Sequence, residues 1–274
     1  MPQVTSHDGI PLAVEVRPGD GTTVVLVHAT GFCKETWRSV LNQLTGAPSI
    51  SIDQRGHGAS GRPPMPFDWW DLGADIGAVL EELEPQGSPV GVGHSSGGAA
   101  LAMTEIERPG SFSALVLIEP IILPPPFARG EENPLTVQAL RRRSSFDSVE
   151  SAFASFHGRG PFTRWTEAAL RAYVEHGTVD DGEGGRRLAC PPEVEAEFYR
   201  AATAHGAWER LGEIGCPVVV VVGEDSDTHS PEFTASLTQR FADARSLTVE
   251  GAGHFLPMEK PEKVAEVVRD VLAL

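Results

Sequence analysis

Gly93-His94-Ser95-Ser96-Gly97 is the stretch on which the fold turns. It follows the pattern G-x-S-x-G, which places a serine on a sharp strand-to-helix turn, the nucleophile elbow. The chemistry requires this spacing. The central residue sits in a strained backbone conformation, and Gly93 and Gly97 remove side chains that would collide within the turn. Ser95 Oγ then stands at the top of a sheet and at a helix N-terminus, where free backbone N–H groups can stabilise a developing oxyanion. The pattern alone is weak, because Gly/Ser-rich loops are common. Its flanks give it weight. Pro89-Val90-Gly91-Val92 predicts a short buried strand before it, and residues 96–108 predict a helix after it, with Ala99, Ala100, Leu101 and Met103 on the apolar side.

A second stretch supports the first. Gly251-Ala252-Gly253-His254-Phe255 follows a predicted strand over 246–249 and precedes a predicted helix over 261–274. His254 therefore falls on a loop at a strand end, where a general base would act. One histidine among nine is ordinarily a surface residue. A glycine-flanked one downstream of a matching nucleophile is a candidate base. The order, serine first and histidine near the C-terminus, is unlike that of chymotrypsin or subtilisin.

Two further stretches complete a resemblance. They are Thr23-Val24-Val25-Leu26-Val27-His28-Ala29-Thr30-Gly31-Phe32 and Asp53-Gln54-Arg55-Gly56-His57-Gly58-Ala59-Ser60. With these the chain resembles the α/β-hydrolase superfamily over essentially its whole length. The first is similar to the strand and oxyanion loop of that family, the second to the turn after the following strand. The resemblance implies a mostly parallel central sheet with helices on both faces, an inserted helical cap, and an oxyanion hole made by the backbone N–H groups of Thr30 and Ser96. The family's usual His-Gly in the oxyanion loop is His28-Ala29 here, a mild departure, since Ala holds most backbone conformations except those with positive φ.

The rest of the chain fits this frame. Its 274 residues suit one α/β domain with an insertion, and 41% hydrophobic residues indicate a globular chain. A formal net charge of −16 argues against nucleic acid or an anionic membrane as partner, because both repel a polyanion. Cys33, Cys190 and Cys216 have no metal-ligand spacing, and an odd number builds no disulfide framework. The N-terminus shows no signal-peptide pattern and no apolar run is long enough to span a bilayer, so the expected location is cytoplasmic. Oligomeric state is not legible.

Strands and helices alternate. A hairpin is expected around His7-Asp8-Gly9, strands at 23–27, 49–53, 114–118 and 217–222, and helices at 36–44, with Thr36 as N-cap, and at 71–83. Alternation of this kind predicts an α/β fold with a mostly parallel sheet. Between 120 and 212 no central strand is expected. That segment opens on Pro124-Pro125-Pro126 and is predicted to hold helices near 134–144, 149–155, 166–176 and 192–204. The expected organisation is a core of residues 1–119 and 213–274 with a helical cap over 120–212. By resemblance the cap is a lid over the nucleophile. Phe32, Trp165 and Tyr173 are then the candidate substrate-binding residues, and Arg141-Arg142-Arg143 reads as a solvated helix face.

The triad acid stays open. The family's usual slot is the fourth position of Gly-x-x-Asp after the strand at 217–222, and here Gly223-Glu224-Asp225-Ser226-Asp227 puts Ser226 there. Asp227 and Asp225 are each one residue off. Glu119, which ends the all-apolar strand at 114–118, is the other candidate, since a carboxylate there is costly to bury without a partner. Pancreatic-type lipases and zearalenone lactone hydrolases look similar in placing an acid at that strand end. These observations predict a serine hydrolase without cofactor or metal, acting on a small apolar ester or lactone through an acyl-enzyme. Carbon–carbon bond, thioester and epoxide hydrolysis are the alternatives within the fold, and Ser95 where an epoxide hydrolase carries Asp argues against the last. A non-catalytic small-molecule receptor is the alternative from another class.

Overall fold

The computed structural model describes residues 3–130 and 133–273. In chain order the first half contains β1 (Gln3–Thr5), β2 (Pro11–Arg17), β3 (Val24–Val27), α1 (Arg38–Leu41), β4 (Ser49–Ile52), α2 (Trp70–Leu83), β5 (Val90–His94), α3 (Ser96–Glu107) and β6 (Ala114–Ile118). Then come α4 (Pro134–Arg141), β7 (Ser145–Phe146), α5 (Val149–Phe156), α6 (Glu167–His176), β8 (Thr178–Asp180), β9 (Arg186–Leu188) and α7 (Pro192–Ala201). The chain ends with β10 (Val218–Gly223), α8 (Pro231–Thr238), β11 (Ala244–Val249), α9 (Leu256–Glu259) and α10 (Pro261–Leu272).

Eight strands form one sheet in the order β1-β2-β4-β3-β5-β6-β10-β11. The β1–β2 and β2–β4 pairs are antiparallel and the other pairs are parallel. The central strands are apolar on both faces because both are covered. Val25, Val27, Leu115 and Leu117 pack with α2 and α3, while Val24, Leu26, Val116 and Ile118 pack with α1 and α10. Full burial of such a side chain stabilises by about 1.5–3 kcal/mol, against about 0.5–1.5 kcal/mol for a ladder hydrogen bond. Side-chain burial therefore decides which strands are central.

The register places the chemistry. Val27 lies opposite Gly93, His94 opposite Ile118, and Ile118 opposite Val221. The segments that follow β3, β5, β6 and β10 thus leave the sheet side by side at one edge. The chain runs from β3 outward to β4 and then back to β5 on the other side of β3. That reversal puts the topological switch point at the carboxyl ends of β3 and β5, the general ligand position in open α/β sheets.

Among the described residues no strand of the large sheet falls between β6 and β10. The segment carries α4 to α7 near their expected places, but it is not wholly helical. Strands β7, β9 and β8 make a small antiparallel sheet that the sequence did not announce, because runs of two or three residues are too short to show a period of two. Thr36 does not cap a helix. It lies inside a 3₁₀ turn, Lys34–Trp37, where its hydroxyl donates to Cys33 O. The expected last helix reached Leu274, which lies outside the described residues, as do Met1 and Pro2 of the N-terminal segment. Among the described residues no helix is long and apolar enough to cross a membrane.

Candidate active site

Ser95 has φ 55° and ψ −115°. A Cβ on Gly93 would meet Gly97 O at 2.6 Å, and one on Gly97 would meet Val27 O at 2.3 Å. No side chain fits at either position, so both glycines are sterically required. Strain of this kind costs on the order of 1–3 kcal/mol and persists where surrounding packing over-determines it. Here the Ser95 N–H donates to Ile118 O at 2.9 Å, locking the turn to β6. Ser95 is 7% exposed.

The loop after β3 is held against the elbow from below. Gln54 Nε2 donates to His28 O at 2.6 Å and to Ser96 Oγ at 3.0 Å, bridging the two. Gly31 N–H donates to His57 Nε2 at 2.8 Å. The positive φ of this loop falls on Gly31, at 85°, so Ala29 is not strained where the usual glycine is missing. The N–H groups of Thr30 and Ser96 donate to no acceptor among the described residues.

Four buried histidines brace this end of the sheet in neutral form. His57 accepts from Gly31 and donates Nδ1–H to Arg55 O, and burial lowers it to about 3. His28 donates to Ala29 O and accepts from Gln54 N–H, and burial lowers it to about 4. His94 donates Nε2–H to His254 O at 2.8 Å and is lowered by burial to about 3. His205 donates to Ile121 O, accepts from Ala207 N–H and is lowered by burial to about 4. Each folded-state value lies below the ordinary 6.5, so the unfolded chain binds more protons and stability is lost as pH falls below 6.5. At pH 5 each of the four should cost about 2 kcal/mol relative to pH 7. Asp75, held above its ordinary value by burial, opposes as one group against four. The urea midpoint is expected to fall steeply from pH 7 to pH 5. An unchanged midpoint would mean that these rings titrate normally in the folded chain.

His254 lies on the loop between β11 and α9. Its Nδ1 is 3.1 Å from Glu119 Oε2 and 3.0 Å from Thr228 Oγ1. Glu119 is fully buried with φ 49°, so the residue after β6 is twisted back toward β10. Glu119 Oε1 accepts from Gly223 N–H at 2.7 Å, and Oε2 accepts from Ser226 Oγ and Thr228 Oγ1, each at 2.7 Å. Burial pushes this carboxyl up, but hydrogen bonds from His229 and His254 outweigh it and hold Glu119 well below the ordinary carboxylate range. Of the three carboxylates weighed, Glu119 is the one at His254. Asp227 is exposed, and Asp225 pairs with Arg164 at 2.8 Å on the surface. Ser95 Oγ makes no hydrogen bond among the described residues, His254 included.

Phe32, Trp165 and Tyr173 meet in one cluster. Phe32 lies 5.1 Å from Trp165 and 5.3 Å from Tyr173, ring centre to ring centre, and 5.8 Å from Phe255 beside His254. The inserted segment thus touches both the oxyanion loop and the His254 loop. Thr166 N–H donates to Met258 O at 3.0 Å across the same seam. Trp165 Nε1 is buried there without a partner.

Arg142 departs from the expected solvated face. It pairs with Glu195 at 2.6 Å and donates to Tyr173 OH at 3.0 Å. A Cβ on Gly31 would meet Glu195 Oε1 at 3.1 Å, so this pair rests on the oxyanion loop. Arg141 and Arg143 are exposed as expected. Sequence reasoning missed Gln54, Arg142, Glu195, Thr228 and His229. For Thr228 and His229 a signal existed, since the empty acid slot at Ser226 made the whole turn suspect.

His7, Asp8 and Asp75 offer ligand atoms within 4.8 Å of one another, but Arg55 already donates to both carboxylates. A cleft of about 640 Å³ lined by Val90, Ala114, Val218 and Ala244 opens at the amino ends of the strands. It is the opposite edge from Ser95 and holds none of these groups.

The chain is similar to known proteins along most of its length. It is 28% identical over 279 residues to a non-heme chloroperoxidase of Streptomyces lividans, covering 96% of each chain. It is 26% identical to an esterase of Mycobacterium tuberculosis, covering 93% of this chain and 84% of the other. Its fold superposes on E-2-(acetamidomethylene)succinate hydrolase with a TM-score of 0.87 at 22% identity, covering 100% and 98% of the two chains. Residues 24–267, which include the oxyanion loop, the elbow and the His254 loop, match the alpha/beta hydrolase family, and the chain belongs to that family.

Proposed function

We propose that the protein is a serine hydrolase that cleaves a carboxylic ester or lactone of a small, largely apolar molecule. The observation that carries this is the contact of His254 Nδ1 with buried Glu119 Oε2, 3.1 Å long, beside a serine on a strained elbow. An ionised carboxylate accepts only, so the shared proton sits on His254 Nδ1 and leaves Nε2 as a base. Ser95 Oγ attacks the substrate carbonyl carbon, and Nε2 takes the hydroxyl proton. The N–H groups of Thr30 and Ser96 receive the oxyanion. His254 passes its proton to the leaving oxygen, which departs as an alcohol. Water then repeats the sequence on the acyl-enzyme and releases the acid. The Ser95–His254 hydrogen bond that this step needs is of the kind that tightens on substrate binding. Phe32, Trp165 and Tyr173 supply the apolar wall that suits an uncharged acyl or alkyl group, and an esterase among the relatives supports the ester class.

The test is covalent labelling. A fluorophosphonate should add one adduct per chain by intact mass, on Ser95, and none to Ser95→Ala. Equal labelling of Ser95→Ala would overturn the assignment of the nucleophile. Labelling without turnover of any p-nitrophenyl ester would favour a ligand receptor instead.

A further inference from the structure

Glu119 serves two histidines. His229 Nδ1 lies 2.9 Å from Glu119 Oε2, closer than His254 Nδ1 at 3.1 Å on the same oxygen. The His229 side chain is fully buried, its ring 5.0 Å from Phe233, and its Nε2 has no partner among the described residues. The His254 side chain is 13% exposed. Thr228 Oγ1 sits 3.0 Å from each Nδ1 and fixes both rings in front of the carboxylate.

The chemistry divides the two rings. The carboxylate is acceptor-only, so each ring that bonds it through Nδ1 carries its proton there. A proton on His229 Nε2 would sit in a dry site with no acceptor among the described residues, which is costly. A second proton on His254 would be directed toward the substrate side, where the reaction uses it. We propose that His229 is a positioning residue. It donates its Nδ1–H to Glu119 Oε2 and so limits how strongly that oxygen holds the His254 imidazolium. This rests on the triad assigned above.

The ionisable groups around the cluster are Glu119 after β6, His94 on β5 and His254 after β11. Asp225, paired with Arg164, and Asp227 lie on the exposed side of the His229 turn. Removing the His229 donor concentrates the Glu119 charge on His254. The imidazolium is then held more tightly, and more base is needed to free Nε2.

The pH dependence of fluorophosphonate labelling tests this in wild type, His229→Leu, His229→Asn, Glu119→Gln and His254→Ala. His229→Leu is expected to label about tenfold more slowly at pH 7, with the acid limb moved to higher pH. His229→Asn, whose amide N–H can stand near the Nδ1 position, should restore both. An acid limb in His229→Leu unmoved from wild type overturns the proposal, whether or not the rate falls. Failure of His229→Asn to restore the limb also overturns it. If Glu119→Gln and His254→Ala label like wild type, the triad itself is wrong, which is a different result. Should His229→Leu not fold, nitrogen-15 histidine spectra of wild type decide. His229 is expected as the Nδ1–H tautomer, and an Nε2–H tautomer refutes the proposal.

Discussion

Ser95→Ala and His254→Ala are each expected to lower kcat on a short p-nitrophenyl ester by roughly 10⁵–10⁶-fold, the scale seen when a serine-protease triad loses its nucleophile or base. The double variant should be no worse than either single one. Ser95 without a base is a poor nucleophile, and His254 without Ser95 has no proton to take, so the two losses describe one step. Neither change should unfold the chain. Ser95→Ala keeps a Cβ at the same strained φ of 55° and removes an oxygen that bonds nothing. The His254 carbonyl, which holds His94 at 2.8 Å, belongs to the backbone and survives the substitution. Steady-state rates of the three variants, with far-ultraviolet circular dichroism as a check on folding, provide the measurement. Additive losses in the double variant would mean that the two residues act in separate steps.

Glu119→Gln is expected to cost about 10⁴-fold in kcat, the loss known when the corresponding acid of a serine protease becomes its amide. Gly223 N–H, 2.7 Å from Oε1, needs an acceptor, so the amide oxygen turns toward it. The NH₂ then faces Ser226, Thr228 and His254, which donated to Oε2, and His229 Nδ1, which lay 2.9 Å from that oxygen. To avoid N–H against N–H, His254 moves its proton to Nε2, and the base is lost. Asp227→Asn should stay within about threefold of wild type, because an exposed carboxylate acts on His254 through a screened field. Comparing kcat of the two variants side by side at pH 8 checks this. A severe loss in Asp227→Asn with Glu119→Gln nearly active would move the acid to the turn after β10 and leave Glu119 as an anchor.

Much of the candidate site is readable from local sequence, for a physical reason. Gly93 and Gly97 are excluded volumes written as residue types, since any side chain there meets Gly97 or Val27 backbone at 2.3–2.6 Å. The strands β3, β6 and β10 are unbroken apolar runs because both faces of the sheet are covered, and their ends mark where Thr30, Glu119 and Ser226 emerge. His254 follows from its glycine-flanked place after the last strand. Each of these depends on sterics or periodicity within a few residues, which is what a sequence displays directly.

The carboxylate at His254, the aromatic cluster and the second histidine depend on something else. Glu119 and His254 are 135 residues apart, and their contact exists because β6 and β10 pair with Ile118 opposite Val221 and because Glu119 turns back with φ 49°. Ser226, standing where the family usually has Asp, could only be understood once its hydroxyl was seen donating to Glu119. Phe32 meets Trp165 and Tyr173 through the docking of the inserted segment, and Arg142 leaves the solvent because Glu195 and Tyr173 stand opposite it. The sequence by itself determined the elbow, the glycine-flanked place of His254 and the sheet, because local backbone sterics and burial dictate them. Tertiary structure alone decided which carboxylate faces His254 and which aromatic rings meet Phe32, because strand register and the seating of the insertion bring together groups whose neighbours in sequence say nothing of one another.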